Sequence, residues 1–213
     1  MKTKRKALLL TFCAVLLVVA SVLGTIAYLT ANDTVANTFT VGQVAINLDE
    51  AKVNPDGTPV ANADRVKANR YKLLPGHTYT KDPTVTVLSG SESSYIKMTV
   101  TFTKAKELDA IFAPDGAKLT SIFKDYDGDK WIAKGNTKDT TDNTRTYEFW
   151  YKEAVGAPAT DVKLDALFDS ITVPSTINND QLKTIASMTI TVNAYAIQAD
   201  GFETAKDAWD AFS

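Results

Sequence analysis

His77 is the only histidine and Cys13 the only cysteine among 213 residues. That scarcity limits the chemistry before any fold is considered. A Ser-His-Asp or Cys-His nucleophile system needs a histidine as its base, so His77 would have to serve. His77 follows Pro75-Gly76, a turn dipeptide beside which a polar residue is ordinary. A hydrolytic zinc centre built on His-Glu-x-x-His needs more than one histidine. Asp125, Asp127 and Asp129 alternate around Gly128, in the manner of the start of a calcium loop. Lys130 then stands where such a loop needs glycine, and Asn136 where it needs a bidentate glutamate. The run therefore reads as an acidic turn, and the three aspartates stand only as a candidate metal set. The remaining carboxylates are scattered, with no pair marked out for glycoside hydrolysis. Trp131 and Trp150 could line a sugar-binding face, but buried or half-buried aromatics are commoner on strands. No catalytic residue and no cofactor is expected, and the residues point away from an enzyme.

Whatever these side chains do, strands must position them. Threonine and valine alternate through much of the chain, and β-branched residues fit a pleated, half-buried surface. Thr38 to Leu48 reads as the first strand, with Phe39 and Val41 on one face and Val44, Ile46 and Leu48 at the opposite parity. The change of phase at Gly42 suggests a bulge. Asn54-Pro55-Asp56-Gly57 and Pro75-Gly76 read as turns. Short strands are expected at Thr84–Leu88, Tyr95–Thr103, Trp131–Ala133, Arg145–Lys152 and Ile171–Val173, with a longer one at Ser187–Gln198. In Tyr95–Thr103 the inward set is Ile96, Met98, Val100 and Phe102. In the last strand it is Met188, Ile190, Val192, Ala194 and Ala196. Lys104 to Phe112 suits one or two helical turns. Phe202, Ala205, Trp209 and Phe212 recur at helical spacing, behind a Thr204-x-x-Asp207 capping box. The pattern predicts an all-β, jelly-roll-like antiparallel sandwich with short helical insertions and a short C-terminal helix.

The N-terminus has another character. Lys2, Lys4, Arg5 and Lys6 precede an uncharged apolar run from Ala7 to Ala27, the layout of a secretory signal peptide. A run of about 20 apolar residues is also long enough to span a bilayer. Gly24 and the small residues Thr25 and Ala27 favour cleavage before Tyr28. Cys13 lies too early, and without a small-residue box before it, to be a lipid-anchor site. Residues 1–27 are thus expected to leave as a signal peptide, with membrane contact only until then. Residues 28–213 are expected to form one extracellular domain without cysteine, whose stability must come from its core. The whole chain carries a formal net charge of −2, and the basic cluster at the N-terminus leaves the remainder more acidic. An acidic product disfavours nucleic acid or an anionic membrane as partner.

Three stretches carry a family resemblance. The first is Gly24-Thr25-Ile26-Ala27-Tyr28-Leu29-Thr30 with Ala36-Asn37-Thr38-Phe39-Thr40-Val41-Gly42 and Ile46-Asn47-Leu48. The second is Leu74-Pro75-Gly76, Thr80-Lys81-Asp82 and Ser94-Tyr95-Ile96-Lys97. The third is Leu167-Phe168-Asp169-Ser170, Pro174, and Ala194 to Phe202 leading to Ala208-Trp209. Together they resemble the TasA-like and camelysin-like secreted proteins, which are trimmed by a SipW-type signal peptidase. The resemblance spans nearly the whole chain. It implies a jelly-roll sandwich, processing by that peptidase, and a homopolymer: a biofilm-matrix or cell-surface fibre joined by donor-strand exchange. The N-terminal segment 28–48 would be the donor, through Thr38, Phe39, Val41, Val44, Ile46 and Leu48. Two other readings compete: a monomeric module binding glycan or a host surface through Trp131 or Trp150, and a camelysin-like metallopeptidase, for which the single histidine leaves no zinc site.

Overall fold

The computed structural model describes residues 3–6, 8, 10–17, 42–112 and 123–212. The chain divides into two compact units, Met1–Val41 and Gly42–Ser213. In the first, the described residues between 3 and 17 are helical. No helix of the described residues is long and apolar enough to cross a membrane.

The second unit is an all-antiparallel β-sandwich. Its elements run β1 (Ile46–Asp49), β2 (Thr78–Thr80), β3 (Thr84–Val87), β4 (Ser94–Thr103), α1 (Ala105–Phe112), β5 (Phe123–Lys124), β6 (Trp131–Asp139) and β7 (Thr144–Tyr151). There follow β8 (Val162–Lys163), β9 (Ser170–Thr172), α2 (Asn179–Thr184), β10 (Ile190–Gln198) and α3 (Ala205–Asp210). A four-stranded sheet has the order β10-β4-β7-β6, and two three-stranded sheets have the orders β1-β3-β8 and β2-β9-β5. The sandwich with short helical insertions and a C-terminal helix is the fold the alternation predicts.

Strand β4 shows why. Its alternation puts Ile96, Met98, Val100 and Phe102 inward, each no more than 1% exposed, while Lys97, Thr99, Thr101 and Thr103 stay half-exposed. Each buried side chain of this kind contributes about 1.5–3 kcal/mol. Opposite them lie Val85 and Val87 of β3, Phe123 of β5 and Ile171 of β9, all in one core with Phe168 and Tyr147. Phe123 is the hub, with its ring centroid 4.3 Å from Phe168 and 5.5 Å from Tyr147. On the outer face of the four-stranded sheet, Thr191, Thr101, Thr146 and Thr137 stand in one line across all four strands. The Thr101 and Thr146 hydroxyls lie 2.9 Å apart. At one end of this face α3 covers a smaller core of Tyr95, Trp150, Ile197, Ala208 and Trp209. The predicted capping box is present: Thr204 accepts from the Asp207 amide, and Asp207 from the Thr204 amide.

The turns agree as well. Gly57, at φ +84°, lies so close to Tyr79 that a Cβ would stand 2.7 Å from its Cα. Gly76, at φ +73°, takes the position that a type II turn after Pro75 requires.

Several expectations need correction. Among the described residues the first strand is Ile46–Asp49, and the Thr38–Val41 part of the expected strand lies outside them. Gly42 to Ala45 is not strand, so Gly42 is no bulge in one. β6 runs nine residues, from Trp131 to Asp139, rather than three. It is an edge strand, exposed beyond Trp131 and paired to β7 through its backbone, so its polar composition conceals it. Phe212 is 72% exposed, because α3 ends before it. β2, β5, β8 and α2 are too short for periodicity to mark.

Candidate functional site

A cleft of about 1150 Å³ opens in the sandwich between β1 and β10. Ile46 and Leu48 form one wall, Ile190, Val192 and Ala194 the other, and Phe102, Leu108 and Ile171 line it further in. The inward residues of β10 alternate in burial but remain half-buried, unlike those of β4. Packing against this side of the sheet is therefore incomplete.

The two strands beside the cleft differ at their free edges. In an antiparallel ladder, alternate residues direct their N–H and C=O to opposite sides. At the ends of β10, Thr103 N donates to Thr189 O at 3.1 Å and Ala199 N to Ser93 O at 2.7 Å. Those bonds set the phase. Ile190, Val192, Ala194, Ala196 and Gln198 direct their backbone groups away from β4. Among the described residues these groups have no hydrogen-bond partner. The β10 sequence, Ile-Thr-Val-Asn-Ala-Tyr-Ala-Ile-Gln, contains no charge and no proline, the usual guards of an open edge.

On β1 the phase leaves Ile46, Leu48 and Glu50 facing outward, since Leu88 N donates to Ala45 O. Here the edge is occupied. Glu50 and Val66 exchange backbone bonds at 2.9 and 2.8 Å, and Lys67 Nζ donates to Leu48 O at 2.6 Å. The segment carrying Val66 and Lys67 is pinned by Arg65, which pairs with Asp49 and, at 2.7 Å, with Asp82. Arg65 also donates to Thr84 Oγ1 at 2.9 Å. Beneath it lies a buried pair, Lys81 with Glu50 at 2.5 Å. Burial, and then the Glu50 charge, raise the Tyr71 phenol above its ordinary value.

The sequence-derived site residues distribute unevenly. Thr25, Ala27, Tyr28, Thr38, Phe39 and Val41 lie outside the described residues. Val44 is half-buried, just before β1. Ile46 and Leu48 are paired to β3 within the chain itself, so they form a wall of the cleft. Trp131 and Trp150 are 1% and 8% exposed. Trp131 is sealed against Tyr151 and Trp150 under Lys134, so neither indole offers a face to a sugar, contrary to the reading that took them as exposed aromatics. His77 packs against Tyr79, ring centroids 5.2 Å apart.

Asp127 Oδ1 accepts from the amides of Asp129 and Lys130, both at 3.1 Å, so this carboxylate closes its own turn. The Asp169 carboxyl is raised by burial and then by the charges of Asp125, Asp82 and Asp127. No group of three or more acidic, histidine or cysteine side chains among the described residues is arranged to hold a metal ion.

The features that sequence reasoning missed are the outward backbone of β10 and the segment around Val66 and Lys67 that covers the edge of β1. The signal for the first was available, as nine uncharged, proline-free alternating residues are unusual for a strand left at an edge. Comparison with family models, with curated proteins and with solved structures returns no match.

Proposed function

We propose that this protein is an exported structural subunit that polymerises by receiving, along β10, an extended segment from a second copy. The β10 edge, unpaired among the described residues and beside a largely apolar cleft, carries this reading. An added strand would satisfy the outward backbone groups of Ile190 to Gln198, and its alternate side chains would fill the space over Val192 and Ala194. The N-terminal segment suits the donor role by composition, with Val35, Phe39 and Val41 on one parity and threonines between them. Held behind an uncleaved signal peptide, that segment stays at the membrane; cleavage before Tyr28 by a SipW-type peptidase releases it. Donor and acceptor are different surfaces, so the contact is head-to-tail and grows a filament. The product is an extracellular matrix or cell-surface fibre, as the TasA-like resemblance suggests.

The test is a chain beginning at Tyr28, concentrated and inspected by electron microscopy and size-exclusion chromatography. Fibres are expected. A chain that stays monomeric at high concentration overturns the reading.

A further inference from the structure

Three side chains meet below the Arg65 pins. Glu50 and Lys81 are 6% and 7% exposed, an uncommon depth for two ionisable groups. Lys81 Nζ donates to Glu50 Oε2 at 2.5 Å, while Asn69 Nδ2 donates to the other oxygen, Oε1, at 3.0 Å. One carboxylate thus holds an amine at one oxygen and a carboxamide at the other. The carboxamide is fixed in orientation: Nδ2 also donates to Ala51 O at 2.8 Å, and Oδ1 accepts from Val53 N at 3.0 Å. The backbones are fixed too, Glu50 by its exchange with Val66 and Lys81 by donation from its amide to Asp169 O at 3.0 Å.

We propose that Lys81 and Asn69 form an intramolecular isopeptide bond, with Glu50 as the proton carrier. This inference is independent of the polymer reading. Glu50 Oε2 takes a proton from the Lys81 ammonium, and the free amine swings from Oε2 to attack Asn69 Cγ. Negative charge then develops on Oδ1, where the Val53 N–H already points; a backbone donor placed there stabilises the tetrahedral state. The Nζ–Cγ bond forms as the Cγ–Nδ2 bond breaks. Glu50 Oε1, already at Nδ2, delivers a proton to the departing nitrogen; Nζ gives up its second proton to the same carboxylate, which passes it to the leaving ammonia. The net change is one ammonium ion released and one amide gained. Glu50 is regenerated, and no oxidant or co-reactant is consumed. Holding amine, acid and amide together in one buried site supplies the proximity that the uncatalysed reaction lacks. The product would weld the segment beside β1 to the turn after β2, in a chain whose one cysteine is Cys13.

Intact mass of the denatured full chain is the test. The wild-type protein should weigh one ammonia less than its sequence, and trypsin should fail to cleave after Lys81, giving a branched peptide that joins it to Asn69. Lys81→Arg keeps a cation on Glu50 but removes the nucleophile, so it should restore the sequence mass with the circular dichroism unchanged; Glu50→Gln should do the same to the mass. A wild-type chain at its full sequence mass overturns the proposal. So does an ammonia deficit that maps to another asparagine, or one that persists in Lys81→Arg.

Discussion

Lys67 Nζ donates to the Leu48 carbonyl oxygen at 2.6 Å, so an outward backbone acceptor of β1 is held by the protein's own side chain. β10, across the cleft, has no such guard among the described residues. The two edges therefore differ in what they offer an incoming strand, and one variant of each tests the difference.

Ala194→Lys places a charge on the inward side of β10, a device by which edges are made unreceptive. Fibre growth from a chain beginning at Tyr28 should be abolished, with the far-ultraviolet circular dichroism of the monomer unchanged. Lys67→Ala acts on the other edge and should leave fibre yield within about twofold, because the Glu50–Val66 bridge still occupies β1. Equal loss in both variants would show that β10 is not the receiving edge.

Phe149 is fully buried, its ring 6.0 Å from Phe123 and 5.7 Å from Tyr126. Phe149→Ala should cost about 3–5 kcal/mol. Calorimetry should show a fall in Tm of roughly 2–4 °C for each kcal/mol in a domain of this size.

Thr204→Ala removes the acceptor for the Asp207 amide and half of the capping box. The expected cost is about 1 kcal/mol. α3 is short, and Trp209 is buried beneath Lys97, whose Nζ is 4.5 Å from the indole ring. The loss should appear first as a red shift of tryptophan emission at temperatures below global unfolding.

Burial pushes the Tyr147 phenol up to about 12 from an ordinary value of 10.0, with the Arg145 charge opposing and the Asp109 charge assisting. The folded-state value lies above the unfolded one. The corresponding stability is therefore complete below pH 10, and it is lost as pH rises from there through about 12. Tyr147→Phe should lose less stability than the wild type across that alkaline window, each measured against its own urea midpoint near neutral pH. Parallel curves for the two proteins would refute this role for the phenol.

How much was legible in the sequence follows from where the information lies. β4 and β10 announced themselves because each carries a full alternation. The capping box and both glycine turns were readable because they are local chemistry: a hydroxyl three residues before a carboxylate, and a glycine where φ must be positive. β6 was foreseen only at its first three residues because an edge strand can satisfy its ladder with any side chains. Burial of Trp131 was the commoner expectation for a strand aromatic and the structure bears it out, but an aromatic beside a polar run gives no sign of which sheet will cover it. The cleft was least visible. It depends on two edges distant in sequence that do not pair with each other, and no window along the chain records that.

The line of Thr191, Thr101, Thr146 and Thr137 across four strands has a consequence for how the sheet assembles. On each inner strand, the residues flanking a member of that line belong to the opposite face: Val100 and Phe102, and Arg145 and Tyr147. A partner that pairs one residue out of step puts hydroxyls against the core and hydrocarbon against water at once. Misalignment is thus opposed where β4 and β7 cross, whereas β6, exposed on both faces beyond Trp131, adds no such constraint.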